Sequence, residues 1–125
     1  MEYGESNDGN ESSPMMPCEG WWEQPVFGRQ TMHQLRLSFA GGTIQGAGVD
    51  IVGAFLFDGT LSPGGDVAMI KKYIGKHSVN YIGKYDGEGL MWGMWRIGPF
   101  KGPWAIRLQP GGEAATDEIN SLTSE

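Results

Sequence analysis

The chain has 125 residues, 39% of them apolar, which is one domain's worth and enough for a single core. Its net charge of -6 is unevenly placed: residues 1–24 and 109–125 hold acids and no bases, whereas 25–108 hold nine bases against five acids. One cysteine, Cys18, excludes an intrachain disulfide and a paired-cysteine zinc site, and no window approaches the roughly 20 apolar residues of a membrane helix.

Residues 1–17 are rich in Glu, Asn, Ser, Gly and Pro and read as a disordered acidic leader. The leader has no basic start and no apolar run, so a cytoplasmic protein is expected. An opening strand is expected near Trp21–Phe27. Next comes Met32–Phe39, with Leu35, Leu37 and Phe39 on one face and Gln34, Arg36 and Ser38 on the other. Thr43–Gly46 returns after the turn Ala40–Gly42. Asp50–Asp58 places Ile51, Gly53, Phe55 and Phe57 on one face. Val67–Tyr73, Ser78–Tyr85, Leu90–Ile97 and Trp104–Leu108 follow, separated by glycine-bearing turns. From Gly111 to the end the chain loses its aromatics and reads as a disordered acidic tail. A single domain over 18–110 is therefore expected between the two tails.

The 21 glycines, interleaved with aromatics and turn signals, point to an all-β protein. Short connections make successive strands antiparallel. An up-and-down meander of about seven or eight strands most economically removes its exposed edges by closing into a barrel. A two-sheet sandwich is the alternative, and its crossings would want a longer connection. Glycines inside the strands, such as Gly83 and Gly93, fit tight coiling around a filled interior as well as they fit a hollow one.

Asp86-Gly87 is the strongest hairpin signal. With a loop of two or four residues, Val79, Tyr81, Gly83 and Tyr85 share the inward face with Leu90, Trp92 and Met94, and Trp95 faces out. The turn at Ile74–His77 leaves the faces of Lys71 and Tyr73 open, because one residue more or less in a loop inverts the parity.

The run GxGxDxxGxF (Gly46, Gly48, Asp50, Gly53, Phe55), then KxYxGxHxVxYxG (Lys71 to Gly83), then GxW (Gly93, Trp95) resembles an uncharacterised family of small bacterial β-barrels. The resemblance covers about residues 31–108 and brings no activity with it. More distantly, Gly20-Trp21 ahead of a meander resembles the calycins, the lipocalin, fatty-acid-binding and avidin barrels. That resemblance implies a calycin-like barrel binding a small hydrophobic molecule.

No reaction is legible in the residues. His33 and His77 lack metal-site spacing, His33 reads as a buried, hydrogen-bonded side chain, and the aspartates at 50, 58, 66 and 86 read as turn caps. Gly46-Ala47-Gly48 lacks the rest of a nucleotide fingerprint, and Cys18 sits next to the leader with no base placed beside it. The expectation is a non-enzymatic protein with no cofactor, no metal, no nucleic-acid partner and no membrane. A binding barrel would use Tyr81, Trp92 and Met94 as walls, with Lys71, Tyr73 or His77 holding a polar head. An interaction module would instead have a solid barrel, forming a homodimer through Trp95 and Trp104.

Overall fold

The computed structural model describes residues 14–109. Eight strands follow one another in chain order: β1 Met16–Gln24, β2 Gly28–Ala40, β3 Thr43–Val49, β4 Ala54–Leu61, β5 Asp66–Tyr73, β6 Ser78–Tyr85, β7 Leu90–Ile97 and β8 Phe100–Leu108. Each pairs antiparallel with the next, and β1 pairs with β8 (Cys18 opposite Leu108, Trp22 opposite Trp104), so the sheet closes into a barrel. The meander barrel is as expected; the sandwich is not formed. The disordered leader and tail expected from composition lie outside the described residues, except that Met16 and Pro17 already belong to β1.

Period-two alternation makes the strands. In β5, Val67, Met69, Lys71 and Tyr73 are buried and the residues between them are exposed, as a sheet with one wet face requires. The same pattern buries Phe55 and Phe57 of β4 and Val79 and Tyr81 of β6. Asp50–Gly53 is a turn rather than the start of β4, which leaves Ile51 exposed.

One connection and one bulge correct the expected faces. Tyr85 pairs with Met91 and Tyr81 with Trp95, so the number of residues between paired partners is odd. Asp86 is the reason: its carboxylate accepts from the backbone N–H groups of Glu88 and Leu90 and holds a wider loop than a two-residue primed turn. Gly87 takes a positive φ of 79°, but the loop is not the expected one. The inward set of β7 is consequently Met91, Gly93 and Trp95, while Trp92 and Met94 are each 44% exposed on the outer wall. In β2 the register shifts between His33 and Arg36, with Gln34 at φ 54°. That bulge lets Met32 and Leu35 both face in and leaves His33 exposed.

Gly83 and Gly93 face each other across β6 and β7. A Cβ on Gly83 would lie 2.0 Å from the Trp92 carbonyl oxygen, and one on Gly93 would lie 1.9 Å from that of Ile82. Only glycine permits this approach. Beside the pair, Trp104 stands opposite Gly93 and donates its indole N–H to the Ile82 carbonyl at 3.3 Å.

The buried side chains form one core cluster. Around Trp104, Leu37, Ile44, Val67, Met69, Met91 and Ile106 pack with at most 2% exposure. Phe39, Leu61, Tyr85 and Leu108 cover that core at the end carrying the β2–β3, β4–β5 and β6–β7 loops. The other end carries the β1–β2, β3–β4, β5–β6 and β7–β8 loops, and a cup opens there among Trp22, Tyr73, Val79, Tyr81 and Trp95, each at most 8% exposed.

Candidate functional site

The open end forms a cup of about 230 Å³ lined by Trp22, Gln24, Val52, Tyr73, His77, Val79, Tyr81, Trp95, Ile97 and Phe100. Strand alternation places its walls: Trp22 from β1, Tyr73 from β5, Val79 and Tyr81 from β6, and Trp95 from β7. Trp22 and Trp95 meet edge to face with ring centroids 6.0 Å apart. At the rim, the exposed His77 ring lies 5.2 Å from that of Tyr73.

Beside the cup lies a buried ion pair. The Lys71 ammonium, fully buried, donates to Asp50 Oδ2 at 2.6 Å and to the Tyr81 hydroxyl at 3.2 Å. The same carboxylate oxygen accepts the Tyr73 hydroxyl at 2.7 Å and the Trp22 indole N–H at 3.0 Å. Asp50 Oδ1 takes the Val52 N–H at 2.9 Å, so Asp50 also caps its turn, as expected. Lys71 Nζ lies 4.3 Å from the centroid of Phe55, 4.9 Å from Tyr73, and 5.3 Å from both Trp22 and Tyr81. Cation–π attraction from these faces offsets part of the ammonium's lost hydration.

Burial pushes the Lys71 ammonium down to about 8, with Asp50 holding it up against that pull. Burial also pushes the Asp50 carboxyl up, but the hydrogen bonds and charge of Lys71, with Tyr73 and Val52, outweigh it and hold the group below its ordinary value. Burial and the Asp50 charge raise both Tyr73 and Tyr81, so both phenols stay protonated.

Of the six expected ligand-binding residues, Tyr73, His77 and Tyr81 line the cup, and Lys71 lies buried against Tyr81. Trp92 and Met94 do not join them, because the odd β6–β7 connection turns them outward. Trp95 and Trp104, expected on an outer interface, are buried instead, and Trp95 donates its indole N–H to the Glu23 carbonyl at 2.9 Å. Sequence reading missed Asp50 as the counter-ion and Trp22 as its donor. Cys18 belongs to β1 and is buried; its thiol donates to the Met16 carbonyl at 3.3 Å and burial pushes it up to about 12. Such a thiol is not poised as a nucleophile at neutral pH.

A larger groove, about 710 Å³, runs over β1, β2 and β8 past Trp21, Arg29, His33 and Arg107. Arg29 is stacked 3.6 Å over the Trp21 ring there, and the groove does not involve the ion pair. Among the described residues, no group of three or more His, Cys, Asp or Glu side chains could hold a metal ion. The chain matches no known family model, no curated protein and no solved structure.

Proposed function

We propose that the protein is a non-enzymatic binding barrel that takes one small, largely apolar molecule into the cup at its open end. The observation that carries this reading is the cup of about 230 Å³ walled by the buried rings of Trp22, Tyr73, Tyr81 and Trp95, whereas the groove of about 340 Å³ at the opposite end lies among the loop residues from Leu61 to Gly65 and from Tyr85 to Gly87. Concave, mostly aromatic walls with a few fixed polar groups are the usual form of a small-molecule site. An engineered apolar cavity of about 150 Å³ holds a benzene ring, so the cup suits a molecule of about one substituted ring. Lys71 and Asp50 neutralise each other next to it, and the hydrogen bonds among Asp50, Lys71, Tyr73 and Trp22 fix the wall. Titrating a single-ring aromatic probe while following tryptophan fluorescence and the amide shifts of Val79 and Tyr81 tests the reading. Saturable shifts confined to the open end are expected. Absence of saturation up to millimolar probe defeats it.

A second reading, assembly, is favoured by the outer wall. Ala68, Ile82, Met94 and Pro103 are paired partners in one row across β5, β6, β7 and β8, with Trp92 beside them. Ile82 and Met94 are 56% and 44% exposed. A two-fold homodimer would bury this row in both copies, in place of the Trp95 and Trp104 surface read from sequence.

A further inference from the structure

Resting on the reading of the cup as a binding site, we propose that it selects neutral carbonyl compounds, ketones or aldehydes on a single ring, and takes their oxygen on the Tyr81 hydroxyl. Six polar side chains line the cup; Gln24 and His77 are within reach of solvent, and of the four buried ones three are already engaged. The Trp22 indole N–H and the Tyr73 hydroxyl both donate to Asp50, and the Trp95 indole N–H donates to Glu23. The Tyr81 hydroxyl is different. Its oxygen accepts from Lys71, and among the described residues its proton has no acceptor. The side chain is 1% exposed and lines the cup, and an acceptor on a molecule in the cup would pair this proton.

A buried donor left unpaired is costly, and the cost falls on any occupant that displaces solvent without accepting the proton. A bond from an ammonium to the phenol oxygen polarises the O–H and makes it the stronger donor. Burial keeps the phenol in its protonated form. The ligand therefore needs an acceptor at its deep end and an apolar body toward Val79, Ile97 and Phe100. Charge excludes a carboxylate: Asp50 already balances Lys71 at 2.6 Å, so a second buried anion would find no free cation.

The test uses acetophenone, ethylbenzene and benzoate, which share a ring and differ in the acceptor. Calorimetry or ligand-observed NMR on the full chain should show acetophenone binding about tenfold more tightly than ethylbenzene, the ratio expected for one net hydrogen bond, and more tightly than benzoate. Tyr81→Phe should bring acetophenone to within about threefold of ethylbenzene, with ethylbenzene unchanged. Equal binding of acetophenone and ethylbenzene to the wild type overturns the carbonyl inference while leaving the cup a binding site. Benzoate as the tightest of the three overturns it too. Failure of all three to bind defeats the cup itself. The wild-type comparison decides the matter even where Tyr81→Phe does not fold.

Discussion

Replacing Lys71 with methionine removes the cation and leaves Asp50 as a carboxylate only 7% exposed, still accepting from Trp22, Tyr73 and Val52. Breaking one half of a buried ion pair typically costs about 3–5 kcal/mol, most of it the price of an uncompensated buried charge. Lys71 also gives up its stacking on Phe55 and Tyr73, which keeps the expected loss in the upper half of that range. For a domain this size, at about 5 °C per kcal/mol, the melting temperature should fall by about 20–25 °C. The companion variant, Asp50→Asn with Lys71→Met, removes both charges and keeps an amide that can accept from Trp22 and Tyr73. It should recover more than half of the loss, because a pair replaced as a unit is often nearly neutral. Urea denaturation of wild type, both single variants and the double variant completes the cycle. A Lys71→Met protein within about 1 kcal/mol of wild type, or strictly additive single effects, would refute the buried pair as described.

The other expectations follow from burial, titration and backbone geometry. Trp95→Ala should cost about 3–5 kcal/mol, as truncating a buried tryptophan does, whereas Trp92→Ala on the outer wall should cost about 1 kcal/mol or less; a reversed order would restore the opposite parity for β7. Lys71 is lowered to about 8 from 10.5, so between those values the unfolded chain holds a proton that the folded chain has released, and this group's contribution to stability rises with pH. The stability gap between wild type and Lys71→Met should therefore widen by about 1–2 kcal/mol from pH 8 to 9.5; a constant gap refutes the shift. Asp50 works on the acid side, where its contribution is present above about 4 and is lost as pH falls through its lowered folded value. Gly87→Val should cost about 1–2 kcal/mol from its positive φ alone, since no atom lies within 4 Å of the added Cβ, and a stability unchanged within error would show that the loop adapts.

Most of the fold was legible because alternation is local. The stripes through Phe55 and Phe57, through Val67, Met69 and Tyr73, and through Val79 and Tyr81 need no knowledge of neighbouring strands. Lys71 could have been placed the same way: it occupies an inward position in a stripe whose other members are all large and apolar, and that placement does not depend on the turn at Gly75. The face of Trp92 was different. It was inferred across a loop, and Asp86, by capping Glu88 and Leu90, sets a loop length that the Asp-Gly pair alone does not predict. Asp50 was read as a turn cap, which it is, yet the partnership with Lys71 spans 21 residues and that with Trp22 spans 28. Nothing local in the sequence records such a meeting; closure of the barrel creates it.

The position of the ion pair bears on why the cup exists. A barrel needing stability alone could fill the interior position of Lys71 with methionine or leucine, since buried pairs are weak sources of stability compared with packed apolar side chains. The closed end follows that rule, with Val67 and Met69 directly along the same strand from Lys71. The polar exception comes at the open end, and each of its bonds orients a cup wall: Asp50 fixes the Trp22 and Tyr73 rings, and Lys71 fixes Tyr81. Rings held at both ends cannot swing inward to fill the space between them, so the network that is costly to bury also keeps about 230 Å³ open. On this argument the cup should widen or collapse when the network is removed, even where the barrel survives. The Asp50→Asn, Lys71→Met protein is the place to look, and aromatic-probe binding unchanged in that stable double variant would separate the cup from the pair beside it.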